Sequence, residues 1–294
     1  MVSVIARAPT ATWWKEAVAV LIAVVQIGCM PPSWGAGALL HPSRRSVRVS
    51  RPAGAEDVVF QGEGVELRGW FFRGGGPRRG TVVYLHGSAD NRVSGVGAAE
   101  RFVSRGFDAL IYDSRAHGES GGTACTYGYY EKKDLARAID LIQRKPVIVV
   151  GVSLGAAVAL QAAAEDGRIA AVVAIATFSD LRTVATGRAP FFATKNEIRS
   201  AFNLAEDRGR FRVDAVSPVD SARRIQVPVF LIHGQADADT PAWHSQRVFA
   251  ALPGAKKLVI VPGAGHNDVL RGNVWEQIDA WIDGVVPKIV SFGQ

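Results

Sequence analysis

Cysteine is almost absent: Cys29 and Cys125 are the only two in 294 residues. Two cysteines exclude a disulfide-stapled scaffold, and no histidine or cysteine pair stands at zinc-site spacing. A succession of long apolar runs is also missing, so a polytopic transporter is excluded. With 48% hydrophobic and 21% charged residues the composition is that of a globular chain rather than a disordered or fibrous one. The formal charge is +7, from 34 basic and 27 acidic residues. The densest basic cluster, Arg44, Arg45, Arg48 and Arg51, lacks the interleaved aromatics that stack nucleic-acid bases. It reads as a solvated face or a segment near lipid headgroups, and nucleic acid is not an expected partner.

One apolar run stands at the amino terminus. Ala17 to Cys29 is nearly unbroken and follows Arg7, Trp13, Trp14 and Lys15, a positive flank before a short apolar stretch as in a secretory signal. It falls short of the ~20 residues of a comfortable membrane span. Residues 1–38 are therefore expected to be a signal or membrane-anchor segment. Three fates fit: cleavage after Ala36-Gly37-Ala38, lipidation at Cys29 within Ile27-Gly28-Cys29, or retention as a single anchor. Gln26 departs from the lipidation pattern. These 38 residues hold two basic and one acidic residue, so the rest keeps a charge of +6. Residues 39–55 read as a linker and 56–294 as the main domain.

From residue 56 onward short β-branched runs alternate with helical patterns. Glu56–Gly62 and Val65–Phe72 predict a leading hairpin. Thr81–His86, Phe107–Asp113, Val147–Gly151, Ala170–Ala176, Val227–His233 and Lys256–Val261 predict strands buried on both faces. Helices are expected over Gly97–Arg105, Tyr129–Gln143, Leu154–Glu165, Trp243–Leu252 and Asn273–Trp281. The expected architecture is α/β, a mostly parallel sheet with helices on both faces and its chemistry at the strand C-terminal ends. Residues 178–219 break the rhythm and predict a small helical lid.

The strongest chemical signal is Gly151-Val152-Ser153-Leu154-Gly155, after the run KPVIVV and before a helix. This strand–turn–helix context is what a nucleophile elbow requires. The competing reading is a helix N-cap serine flanked by glycines. A serine hydroxyl needs a base, and the base needs an orienter. His266, on the glycine-rich loop after the last strand run, is the candidate base. His233 ends a strand and reads as structural, and His244 as an exposed residue at a helix start. Asp237 is the candidate acid, with Asp239 the alternative or a cap for the helix after Pro241. Backbone N–H groups of Leu154 and of Ser88 (or its neighbours Gly87 and Ala89) are candidate oxyanion donors. His86 reads as a support for that loop.

Together His86-Gly87-Ser88, the segment Asp113 to Ser120, Gly151 to Gly155, the Asp237 segment and Gly265-His266 resemble the α/β-hydrolase superfamily. The resemblance runs across about residues 56 to 285 and looks most like the prolyl-oligopeptidase-like and depalmitoylase-like branches. It implies hydrolysis of an ester, thioester or amide through an acyl-enzyme; nothing in the residues themselves suggests a bound cofactor. It also implies that the Asp113–Ser120 segment is a structural turn whose Asp and His stand outside the triad. Ala116 departs from the glycine many relatives carry there.

Phe178, Pro190, Phe191, Phe192 and Phe202 either line an apolar acyl pocket or only pack the lid onto the sheet. A small-molecule acyl ester or thioester is the expected substrate, cleaved by an exported, secreted or membrane-anchored enzyme. The alternatives are a small serine peptidase and a non-catalytic binding protein on the same scaffold. The Gly74-Gly75-Gly76 stretch lacks the strand-to-helix placement of a phosphate loop.

Overall fold

In the computed structural model, residues 31–76 and 79–285 are described. The apolar run Ala17–Cys29, with its expected signal, lipidation or anchoring role, lies outside them. Eight strands make one sheet: β1 Ala55–Gln61, β2 Glu66–Phe72, β3 Thr81–Leu85, β4 Asp108–Tyr112, β5 Val147–Val152, β6 Ile169–Ile175, β7 Val229–Gly234 and β8 Lys256–Val261. Their spatial order is β1-β2-β4-β3-β5-β6-β7-β8. β1 and β2 form an antiparallel hairpin and β2 meets β4 antiparallel. All other neighbours are parallel, so Leu110, Val83, Val149, Val172 and Val229 stand side by side across five strands.

The unbroken apolar runs follow from alternation with both faces covered. In β5, Val147 and Val149 enter one core, while Ile148 and Val150 enter the other. The first core is closed by α3 (Glu131–Asp140), α4 (Leu154–Ala163) and α8 (Trp243–Ala251). The second is closed by α2 (Val96–Ser104) and α9 (Val274–Val285). The stripe Leu135, Ala138, Ile139, Ile142 is buried as its helical spacing requires. Fully burying each Leu or Ile of this stripe contributes about 1.5–3 kcal/mol of transfer free energy.

The 178–219 interval is helical: α5 Leu181–Gly187, α6 Lys195–Gly209, a 3₁₀ turn Val213–Ala215 and α7 Pro218–Ala222. α6 begins with a reciprocal cap, in which the Thr194 hydroxyl accepts the Glu197 N–H and the Glu197 carboxylate accepts the Thr194 N–H. Phe178, Leu181, Val184, Phe202 and Phe211 bury themselves in a third core beneath these helices.

The expected break near residue 38 and the linker 39–55 are not what the packing displays. Pro32–Leu40 forms a helix, α1, and Ala36 and Leu40 insert into the lid core. Beyond it the His41 ring meets the Thr123 carbonyl at 2.6 Å. Arg44 Nη2 donates to the Gly122 carbonyl at 2.7 Å, and the Asn91 side chain donates to the carbonyls of Arg45 and Ser46. Glycine and proline made this stretch read as detached, yet proline suits a first helical turn, and the apolar partners come from the distant lid. No helix among the described residues is long and apolar enough to cross a membrane.

Candidate active site

The strand ends on one edge of the sheet bring the chemistry together. After β5 the chain turns so sharply into α4 that Ser153 takes φ 52° and ψ −108°, a left-handed conformation costly for a residue with a Cβ. A Cβ on Gly151 would strike the Gly155 carbonyl, and one on Gly155 would strike the Leu85 carbonyl. Only glycine fits either place. The turn leaves the Ser153 hydroxyl beside the N-terminus of α4, where unpaired N–H groups favour negative charge.

His266, on the loop after β8, points Nε2 at Ser153 Oγ, 3.0 Å away. Its Nδ1 donates to Asp237 Oδ2 at 2.6 Å, from the loop after β7. The structure thus joins Ser153, His266 and Asp237 in one hydrogen-bonded line. Asp237 is buried, and its Oδ1 accepts the Thr240 N–H at 2.8 Å. Burial raises the pKa of this carboxyl, but hydrogen bonds from His233, His266 and Thr240 outweigh it and hold it well below the usual carboxylate range. Because Asp237 stays ionised, it fixes the His266 proton on Nδ1 and leaves the Nε2 lone pair facing Ser153.

His233 supports Asp237 from behind. Its Nε2 lies 3.1 Å from Asp237 Oδ2 and 2.6 Å from the Thr240 carbonyl, and Ser245 Oγ satisfies Nδ1. Two expectations change here. His244 is buried rather than exposed: Nδ1 accepts the Ser179 N–H, and burial pushes its pKa down to about 4. Asp239 caps no helix. Ala242 holds that position, and the Asp239 carbonyl instead accepts from Arg188 Nε at 2.9 Å. Both contacts join segments some fifty or more residues apart, beyond any local pattern.

Leu154 and Ser88 line the same cavity as Ser153. The loop carrying Ser88 runs against Ser153, since a Cβ on Gly87 would sit 3.6 Å from Ser153 Cβ. His86 stays outside the serine–histidine line: its Nδ1–H donates to Gly87 O and its Nε2 accepts the Ser114 N–H. Asp113 Oδ1 accepts the Arg92 N–H at 2.7 Å, and Oδ2 accepts the Arg92 guanidinium and the Glu119 N–H. That web makes Asp113–Ser120 a structural turn. Ala116 holds φ 61° there, the conformation a glycine takes at less cost.

Two recesses meet at Ser153, Ser88 and Arg188. One, about 300 Å³, is apolar and lined by Phe178, Leu181, Val184, Pro190, Ile198 and Phe202 of the lid and by Trp34 and Leu39 of α1. The other, about 350 Å³, is polar and includes Tyr84, Asp90, Asp239, His266 and Asn267. Of the aromatics singled out in the lid, Phe191 and Phe192 stand outside the apolar recess, packed edge to face at the surface. Sequence reasoning did not find the contributions of α1, Tyr127 or Arg188. Among the described residues, no group of three His, Cys, Asp or Glu side chains is placed to hold a metal ion.

A parallel sheet of this order, with a serine on the strand–helix elbow and a histidine after the last strand, defines an α/β hydrolase. A family profile described as alpha/beta hydrolase fold matches residues 80–208, and one described as TAP-like protein matches 209–282. The chain belongs to the α/β-hydrolase superfamily. It is 31% identical over 199 residues to YqkD of Bacillus subtilis (strain 168), an uncharacterised protein, covering 63% of this chain and 64% of YqkD. Escherichia coli (strain K12) YfhR, also uncharacterised, is 28% identical over 243 residues, 77% of this chain and 79% of its own. Among solved structures, the Pyrococcus furiosus esterase Pf2001 superposes with a TM-score of 0.69 at 23% identity, covering 84% of this chain and 98% of the esterase. The Pyrococcus horikoshii acylaminoacyl peptidase superposes at 0.64 with 15% identity, covering 82% of this chain and 43% of the peptidase. At these identities the structural likeness is one of fold.

Proposed function

We propose that the protein is a serine carboxylesterase or thioesterase acting on a substrate with an apolar acyl group. The observation that carries this is the Ser153 Oγ–His266 Nε2 contact of 3.0 Å at the mouth of an apolar recess. In the first half-reaction Ser153 Oγ attacks the acyl carbon and its proton passes to His266 Nε2. N–H groups of Leu154 and Ser88 receive the developing oxyanion, which is stronger stabilisation here than in water. The tetrahedral species collapses, and the alcohol or thiol leaves with the proton from His266. Water then attacks the acyl carbon and passes its proton to His266, which returns it to Ser153 Oγ as the acyl–oxygen bond breaks and the carboxylic acid departs. The apolar recess takes the acyl chain and the polar recess the leaving group. Export or membrane anchoring through the apolar run Ala17–Cys29 belongs to the same proposal.

The test is hydrolysis of p-nitrophenyl esters and acyl thioesters of graded chain length by the full-length protein, with Ser153→Ala alongside. The expected result is turnover lowered by roughly 10⁶-fold in the variant, the scale of losing such a nucleophile. Equal turnover by a folded Ser153→Ala protein overturns the mechanism. Cleavage of acyl peptides with no ester turnover replaces the esterase reading with a peptidase one.

A further inference from the structure

The α1 helix belongs to the binding site as much as to the fold. Trp34, Gly35, Ala38 and Leu39 line the apolar recess together with Phe178 and Phe202. Three contacts hold the helix there. Ala36 and Leu40 are buried in the lid core, and Leu40 lies close enough to Gly209 that a Cβ on that glycine would come within 2.9 Å of it. The Leu40 carbonyl accepts the Cys125 N–H at 2.8 Å. The Leu39 carbonyl accepts the Tyr127 hydroxyl at 3.0 Å, and Tyr127 lines the recess together with Ser88 and Ser153. Tyr127 therefore ties α1 to the recess that Ser153 opens into.

We infer that α1 is the wall that sets the acyl-chain length this site accepts, and that residues 32–40 therefore remain in the mature enzyme. The inference rests on the hydrolase reading and names its substrate class: esters or thioesters of apolar acyl chains longer than acetyl. At about 300 Å³ the recess is many times the about 10–15 Å³ that one water-sized group needs, so it takes a chain rather than a single methyl. Cleavage between Ala38 and Leu39 would cut the helix in its last turn. It would remove Trp34, Gly35 and Ala38 from the wall and withdraw Ala36 from the lid core.

Two substitutions in the full chain move the wall in opposite directions. Leu39→Trp fills the recess, and Leu39→Ala enlarges it without adding atoms. Neither removes the Leu39 carbonyl. Each carbon of chain length excluded should lower kcat/KM by about tenfold or more. The ester-length optimum should thus move to shorter chains in Leu39→Trp and to longer chains in Leu39→Ala. Val59→Trp, on the exposed face of β1, serves as a control that leaves the optimum in place.

The same substitutions in a Ser153→Ala background give a second readout, thermal stabilisation by free fatty acids of graded length. Their length preference should shift in the same directions. Absence of Ser153-dependent turnover overturns the hydrolase reading alone, because the fatty-acid readout still reports the wall. An unchanged length preference in both Leu39 variants overturns the wall. Intact mass of the active protein gives the last arm: an amino terminus upstream of Pro32 is expected, and one at Leu39 contradicts the inference.

Discussion

Replacing Asp237 by asparagine separates the two candidate acids in one step. The carboxylate receives three donors: His266 Nδ1, His233 Nε2 and the Thr240 N–H. An asparagine that keeps the Thr240 N–H on its oxygen must turn its NH₂ toward both histidines. Donor then faces donor at His266, whose proton moves to Nε2 and confronts the Ser153 hydroxyl. No lone pair remains to take the serine proton. In a Ser-His-Asp system this wrong tautomer costs about 10⁴ in kcat, or about 5.4 kcal/mol of transition-state stabilisation. The same conflict at the buried His233 should lower stability by about 1–3 kcal/mol. The assay is initial ester-hydrolysis rate beside a thermal melt. Asp239→Asn should cost no more than about tenfold, because Asp239 lines the polar recess but makes no hydrogen bond to His266, and its carbonyl still holds Arg188. A folded Asp237→Asn protein within tenfold of wild-type rate would refute the reasoning.

Other outcomes follow from the packing and the charges. Gly155→Val should prevent formation of the elbow, seen as loss of both activity and soluble yield, since even a Cβ strikes the Leu85 carbonyl; wild-type behaviour would contradict the turn. Leu110→Ala, in a fully buried strand position, should cost about 2–5 kcal/mol in chemical denaturation with the residual activity per folded molecule unchanged. His117 is buried against His86, and burial followed by the charge of His86 pushes its pKa down to about 4 from an ordinary 6.5. A folded-state pKa below the unfolded one means the unfolded chain takes the proton first. Stability is therefore complete above pH 6.5 and is lost as the pH falls toward 4, by up to about 1.4 kcal/mol per unit from His117 alone. A His117→Gln variant should flatten that part of the stability profile, and an unchanged profile would assign the loss elsewhere.

Much of the architecture was legible because its causes are local. Short, β-branched apolar runs such as Val147–Val150 mark strands covered on both faces, and all eight expected strands are present within one or two residues of their expected ends. The Gly151–Gly155 turn was legible because its steric demand admits few other residues, and the lid because its charges and missing strand signal interrupt the alternation. What escaped depends on partners far away in sequence. α1 reads as a broken, glycine-rich tether until Phe202 and Phe211 of the lid supply its apolar surroundings. His244 looks exposed at its helix start until Ser179 closes over it. The choice between Asp237 and Asp239 rested on distance from the strand end, and only the converging N–H groups of His233, His266 and Thr240 give a physical reason for the first.

The central claim, that Ser153 is an activated nucleophile, is tested most directly by treating the full-length protein with a fluorophosphonate and reading intact mass and the modified peptide. One adduct per chain on Ser153, formed at neutral pH and absent after heat denaturation or in His266→Ala, is the expected result. No adduct, or the same labelling in Ser153→Ala, would contradict the account.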